Sequence, residues 1–105
     1  MSPQFDQSFF DMREENIEQA ARALKAMAHP LRLKILCVIG DSELPVMEIV
    51  QKVGTTQSNV SQHLDILREK GIVVSRREGS KILCRVKNHQ ILELMNAMQK
   101  TFCPT

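Results

Sequence analysis

Residues 45 to 86 leave this chain little choice of topology. Apolar positions recur at helical spacing from Pro45 to Val53 and again from Gln57 to Lys70, and only Gly54-Thr55-Thr56 separates the two runs. Gly54 and Gly71 stand just past the ends of these runs, where glycine stops a helix. Two short helices must therefore meet at a tight turn, which is the helix-turn-helix arrangement. Ile72 to Arg77 and Lys81 to Val86 follow at once as β-rich runs joined by Glu78-Gly79-Ser80, the pattern of a hairpin. A helix-turn-helix running directly into a hairpin is a winged helix-turn-helix.

The flanking segments complete one domain. From Asp11 to Ala28, residues Ile17, Ala20, Ala21, Leu24, Met27 and Ala28 recur at helical spacing, with acids in the early turns, where the helix dipole favours them. Pro30 then opens a second, apolar helix through Ile39, and Gly40-Asp41-Ser42 ends it. Asn88 caps a last helix whose Ile91, Leu92, Met95, Met98 and Phe102 make one stripe. The expected order is α-α-α-α-β-β-α, mainly α with a small β-hairpin. With 105 residues, 43% of them hydrophobic and 25% charged, there is material for one core. Residues 1–105 are thus expected to form a single domain, disordered over about residues 1–10.

Several classes are excluded. The longest apolar run, Ile35 to Ile39, is far short of the roughly 18 residues a membrane helix needs, so no membrane role is expected. Asp6 and Asp11 without an early Lys or Arg speak against a signal peptide. Three cysteines do not make a secreted disulfide scaffold. The expected location is the cytoplasm. No phosphate loop, nucleophile elbow or paired-carboxylate spacing is present, so neither an enzyme nor a cofactor is expected. His29, His63 and His89 fall in different elements, and Cys37, Cys84 and Cys103 lack CxxC spacing; no metal site has local support.

The net charge of +2 conceals an uneven distribution. Residues 1–50 carry five Lys/Arg against eight Asp/Glu, residues 51–87 carry eight against three, and residues 88–105 carry one of each. The basic block, +5, coincides with the second helix of the helix-turn-helix and the wing, which points to a polyanionic partner. On a helical wheel Val60, Leu64 and Leu67 lie within about 60° and form the inner face. Ser58, Ser61 and Gln62 lie away from it, with Gln57 and Asn59 at the first turn. These short hydroxyl and amide side chains can donate and accept at base edges and phosphates. No acid precedes Asp65, about 10 Å along the helix from Ser58. Thr56, Gln57, Ser58, Asn59, Ser61 and Gln62, with Arg76, Arg77 and Lys81 of the wing, form the candidate DNA-binding set. The competing interpretations are an ordinary exposed polar face and a charged hairpin edge that blocks sheet aggregation. His63, on the flank of the inner face, reads as a packed or locally hydrogen-bonded side chain.

The stretch from Ala26 to Leu36 (AMAHPLRLKIL), the segment from Ser58 to Gly71 (SNVSQHLDILREKG) and the wing together resemble the ArsR family of bacterial transcription repressors. The resemblance runs from about Ile17 to Cys103. It implies a homodimer built on the first and last helices, bound to double-stranded DNA at a pseudo-palindromic operator. Two metal sites common in the family have no counterpart. Pro45 and Met47 stand where a thiol pair occurs on the third helix, and Asn88, His89, Gln90 and Lys100 to Cys103 do not supply ligands at the ends of the last helix. What does match is Cys37 in "ILC" and Cys103 in "FCP", as in the subgroup that answers persulfides or oxidants by linking two cysteines. The resemblance thus implies a redox-sensing pair, Cys37 and Cys103. The opposing interpretation of Cys37 is a small hydrophobe filling an apolar helix. Cys84 alternates with Ile82 and Val86 on one strand face and reads as core. The alternatives are a metal-responsive repressor with an unfamiliar site, and a winged protein-interaction module or antirepressor.

Overall fold

A computed structural model describes residues 13–103. The expected disorder of about residues 1–10 and the first residues of the first helix lie outside that range. The elements are α1 (Glu14–Met27), α2 (Pro30–Ile39), β1 (Leu44–Pro45), α3 (Val46–Val53), α4 (Gln57–Glu69), β2 (Val73–Glu78), β3 (Lys81–Val86) and α5 (His89–Phe102). This is the expected winged helix-turn-helix with one strand added. β1 pairs antiparallel with β3, Leu44 opposite Cys84 and Pro45 opposite Leu83, and the sheet order is β1-β3-β2. A two-residue strand has no periodicity to detect, and Pro45 reads locally as the start of a helix. It fits here because an edge strand tolerates a residue with no N–H to donate.

Four helix boundaries have a clear local cause. His29 caps α2, its Nδ1 accepting from the Leu31 N–H at 3.1 Å, and Pro30 takes the first-turn position. Thr56 caps α4 by accepting from Asn59 N–H, and Asn88 caps α5 by accepting from Ile91 N–H. Gly54 ends α3 at φ +83°, a left-handed conformation that costs glycine little. The hairpin turn is tighter than the sequence implied. Glu78 and Lys81 still pair, so Gly79 and Ser80 alone make the turn, with Gly79 at φ +63°, which suits a glycine-first two-residue hairpin.

The core is one cluster. Ile35, Leu36 and Ile39 of α2, Ile49 and Val53 of α3, Val60, Leu64 and Leu67 of α4, and Ile72, Val73, Cys84 and Val86 of the wing base are buried together with Ala26 and Met27. Helix α2 is the hub, packing on α3, α4 and β3. α5 contributes no buried residue; Ile91, Leu92, Met95 and Met98 lie half-buried against the cluster. Phe102, at the end of the same stripe, is 78% exposed. Among the described residues, no helix is long and apolar enough to cross a membrane.

Candidate nucleic-acid interface

Three buried side chains orient the surface that faces outward. With Val60, Leu64 and Leu67 turned into the core, α4 presents Gln57, Ser58, Asn59 and Gln62 to solvent, and Ser61 half-buried. The structure divides this set in two. Gln57 and Ser61 line a cleft of about 750 Å³ between α3, α4 and the wing tip, together with Ser80 and Lys81. Ser58 and Gln62 lie outside the cleft, on the side opposite the core. Thr56 Oγ1 is engaged as the helix cap, and Asn59 Nδ2 donates to Thr55 Oγ1 at 3.2 Å. Asn59 therefore keeps one amide N–H and its carbonyl oxygen for another partner.

The cleft holds residues that sequence inspection passed over. Gln51 and Lys52 of α3 and Arg68 of α4 line it, and Met47 and Ile82 add exposed apolar surface, 52% and 39%. Its two acids are matched by local cations: Glu48 pairs with Lys52 at 3.4 Å and Asp65 with Arg68 at 3.6 Å. Their i,i+4 and i,i+3 spacings were the available signal.

The wing cations differ in their freedom. Arg76 is held by Glu43, with Nη2 2.7 Å from Oε1 and Nε 2.9 Å from Oε2, and by Glu78 at 2.9 Å. The Arg76 hydrogen bond holds the Glu43 carboxyl below its ordinary range, its charge adding to the effect and partial burial opposing it. Arg76 thus fastens the wing to the segment before β1, a link between residues far apart in sequence that no local pattern reveals. Arg77 projects from the other face of β2, opposite Ile82. Among the described residues, Arg77 and Lys81 enter no ion pair, so both are available to an anion. Arg76 is the candidate DNA contact whose charge is already matched.

The cysteines separate equally clearly. Cys84 is fully buried and its Sγ lies 3.3 Å from Ser75 Oγ, in keeping with a core residue. Cys37 is exposed although Leu36 and Ile39 beside it are buried, so it does not fill the core. Cys103, just past the end of α5, is exposed as well. His63 is half-buried, its Nδ1 3.1 Å from Arg32 Nη1, as a packed, hydrogen-bonded side chain would be.

Known proteins resemble this chain in sequence and in fold. The family model of bacterial regulatory proteins of the arsR family matches residues 29–75, from the cap of α2 into β2. The biofilm growth-associated repressor of Xylella fastidiosa is 37% identical over 86% of this chain and 79% of its own length. The structure of reduced HlyU from Vibrio cholerae superposes with a TM-score of 0.79 at 34% identity, covering 86% of this chain and 95% of that one. A homodimeric winged helix-turn-helix DNA-binding domain from Mycobacterium bovis gives 0.76 at 29% identity, over 96% and 89%.

Proposed function

Because this chain belongs to the arsR family of bacterial regulatory proteins, we propose that it is a homodimeric repressor of transcription, released from its operator when Cys37 and Cys103 become linked. Its relatives are DNA-binding regulators of transcription and not enzymes, and the chain is a regulator of that kind. In the proposed dimer, α4 of each protomer enters a major groove and the wings grip the flanking backbone. Two such helices about one DNA turn apart call for a pseudo-palindromic operator. The acid-free leading half of α4 supports this assignment, as do Arg77 and Lys81, which enter no ion pair among the described residues. The dimer is supported by α1 and α5, which leave Ile17, Leu24 and Leu94 at 47%, 52% and 40% exposure, apolar surface that a second copy of the chain can cover.

The observation that carries the thiol switch is the contrast in access: Cys37 and Cys103 are open to solvent while Cys84 is sealed. The reaction balances with an organic persulfide as oxidant. The Cys37 thiolate attacks the outer sulfur of the persulfide, and the organic thiol leaves. The Cys103 thiolate then attacks the Cys37 sulfur, hydrogen sulfide leaves, and a disulfide remains. One persulfide is reduced and two thiols are oxidised. The bridge closes a long loop, worth about 4 kcal/mol in the chain-entropy model, while a coupling of about 1–3 kcal/mol suffices to alter DNA affinity. A direct bridge needs Cα atoms within about 7 Å; inserted sulfurs relax that limit.

Intact-mass analysis paired with operator binding tests the reading. Persulfide-treated protein should carry the link and bind its operator about tenfold or more weakly. Cys37→Ser and Cys103→Ser should each stay bound, and Cys84→Ser should still respond. Release of DNA by either single variant under persulfide overturns the pair.

A further inference from the structure

Behind the DNA-facing surface, three helices meet at one guanidinium and two imidazole rings. Arg32, in the first turn of α2, donates from Nε to the Ala26 carbonyl oxygen in the last turn of α1 and from Nη1 to His63 Nδ1 on α4 at 3.1 Å. The His29 ring, which caps α2 through its own Nδ1, lies against His63 with centroids 4.4 Å apart and planes inclined by 36°. Arginine can only donate, so His63 Nδ1 is the acceptor, and the ring is neutral with its proton on Nε2.

We propose that Arg32 and His63 are positioning residues for operator recognition, a lock that sets the rotation of α4 about its own axis. The proposal rests on α4 being the recognition helix. The inner stripe Val60, Leu64 and Leu67 fixes how deep α4 sits, but apolar contact is non-directional. A hydrogen bond to a charged donor is directional and short. A rotation of about 20° at a side-chain radius of about 5–6 Å moves a reading atom by about 2 Å, beyond the tolerance of a base-edge hydrogen bond. Gln62 is next to His63 in sequence, so any rotation of the helix is passed to it directly.

The lock depends on protonation. Burial holds the His63 pKa below its ordinary 6.5, and the neighbouring His29 and Arg32 lower it further. Arg32 faces the ring from α2 and His29 from the corner between α1 and α2; among the described residues, α1, α3 and β2 set no carboxylate against it. A proton on Nδ1 removes the acceptor and places a cation against the guanidinium. Folding favours the neutral ring, so the lock is intact above about pH 6.5 and is lost as pH falls through the lower folded value.

The test measures preference for operator over random DNA in wild type, His63→Asn, His63→Leu, Arg32→Gln and Gln62→Ala, with circular dichroism to verify folding. Asparagine places an acceptor near the Nδ1 position but does not titrate. At about pH 7.5, His63→Leu and Arg32→Gln should lose about tenfold in preference, with random-DNA binding unchanged for His63→Leu, and His63→Asn should retain most of it. As pH is lowered from about 7.5 through about 6.5 and on to the lowest pH at which circular dichroism shows both proteins folded, the wild-type preference should fall and that of His63→Asn should hold; a wild-type preference that stays level over that whole range overturns the protonation dependence. A parallel fall in both proteins, or an unaltered preference in His63→Leu while Gln62→Ala loses its own, overturns the lock and leaves α4 as the reader. If Gln62→Ala also keeps full preference, the assignment of α4 fails and the lock fails with it. Should His63→Leu not fold, the pH comparison of wild type with His63→Asn decides.

Discussion

Helices α4 and α5 have nearly the same length, 13 and 14 residues, and each begins on a side-chain cap, Thr56 in one and Asn88 in the other. They differ in what covers them. α4 sinks Val60, Leu64 and Leu67 completely, because α2, α3 and β2 close around it. α5 is attached through β3, has no fully buried residue, and leaves Leu94 and Phe102 outward. A helix whose apolar face is satisfied within its own chain has little apolar surface left for a second molecule and turns mainly polar groups outward. A helix whose apolar face is half satisfied has surface left for a second molecule, which is the role proposed for α5 and α1.

Truncating the inner faces should break this contrast most visibly. Leu64→Ala should cost about 2–5 kcal/mol in chemical denaturation, whereas Leu94→Ala should stay within about 0.5 kcal/mol when unfolding is followed at protomer concentrations below dimerisation. Equal losses at both sites would erase the distinction. Next in size, Leu24→Glu combined with Leu94→Glu should weaken the dimer on the order of tenfold or more by placing charge in an apolar interface. Sedimentation would report it, with the helical signal unchanged. A dimer as tight as wild type would mean that α1 and α5 are not the interface.

Smaller effects sharpen the contrast within the surface proposed to face DNA. Gln62→Ala should cost about 1–3 kcal/mol on the operator and little on random DNA. Arg77→Ala should weaken both alike and reduce the salt slope by about one. If the two variants respond identically, reading and gripping are not divided between α4 and the wing. Thr56→Ala, by removing the α4 cap, should destabilise the protein by about 1 kcal/mol. The smallest effect concerns Glu43. Its carboxyl titrates below 4.5 when folded, so the contribution of the Arg76 pair is complete above about pH 4.5 and is lost as pH falls through the lower folded value. Urea midpoints from about pH 5 to about pH 3 should therefore drop slightly more in wild type than in Glu43→Gln; identical slopes would show that the pair contributes nothing, as exposed pairs often do.

The order of helices, the hairpin and the outward face of α4 could be read from the sequence because each depends on neighbours within one or two turns. Periodicity announces α4, glycine closes α3, and Gly79 opens the turn. The inner-face trio Val60, Leu64 and Leu67 and the core position of Cys84 follow from the same local rules. The three-strand sheet could not be read this way. β1 exists only because Leu44 and Pro45 meet Cys84 and Leu83 across a long separation in the chain.

What the sequence determined alone is therefore which surfaces exist: an acid-free leading half of α4 with hydroxyl and amide side chains, a wing carrying Arg76, Arg77, Lys81 and Arg85, and apolar stripes on the terminal helices. The tertiary structure decided which members of those surfaces are free to act. It matched the charge of Arg76 against Glu43 and Glu78 while, among the described residues, leaving Arg77 and Lys81 without an ion pair. It brought Cys37 out of an apolar helix and sealed Cys84, and it joined His63 to Arg32 and His29 from another part of the chain. The reason is range. Helix propensity, capping and turn chemistry act over a few residues, whereas ion pairing, burial and the pKa of a histidine depend on whichever groups the folded chain brings within a few ångströms.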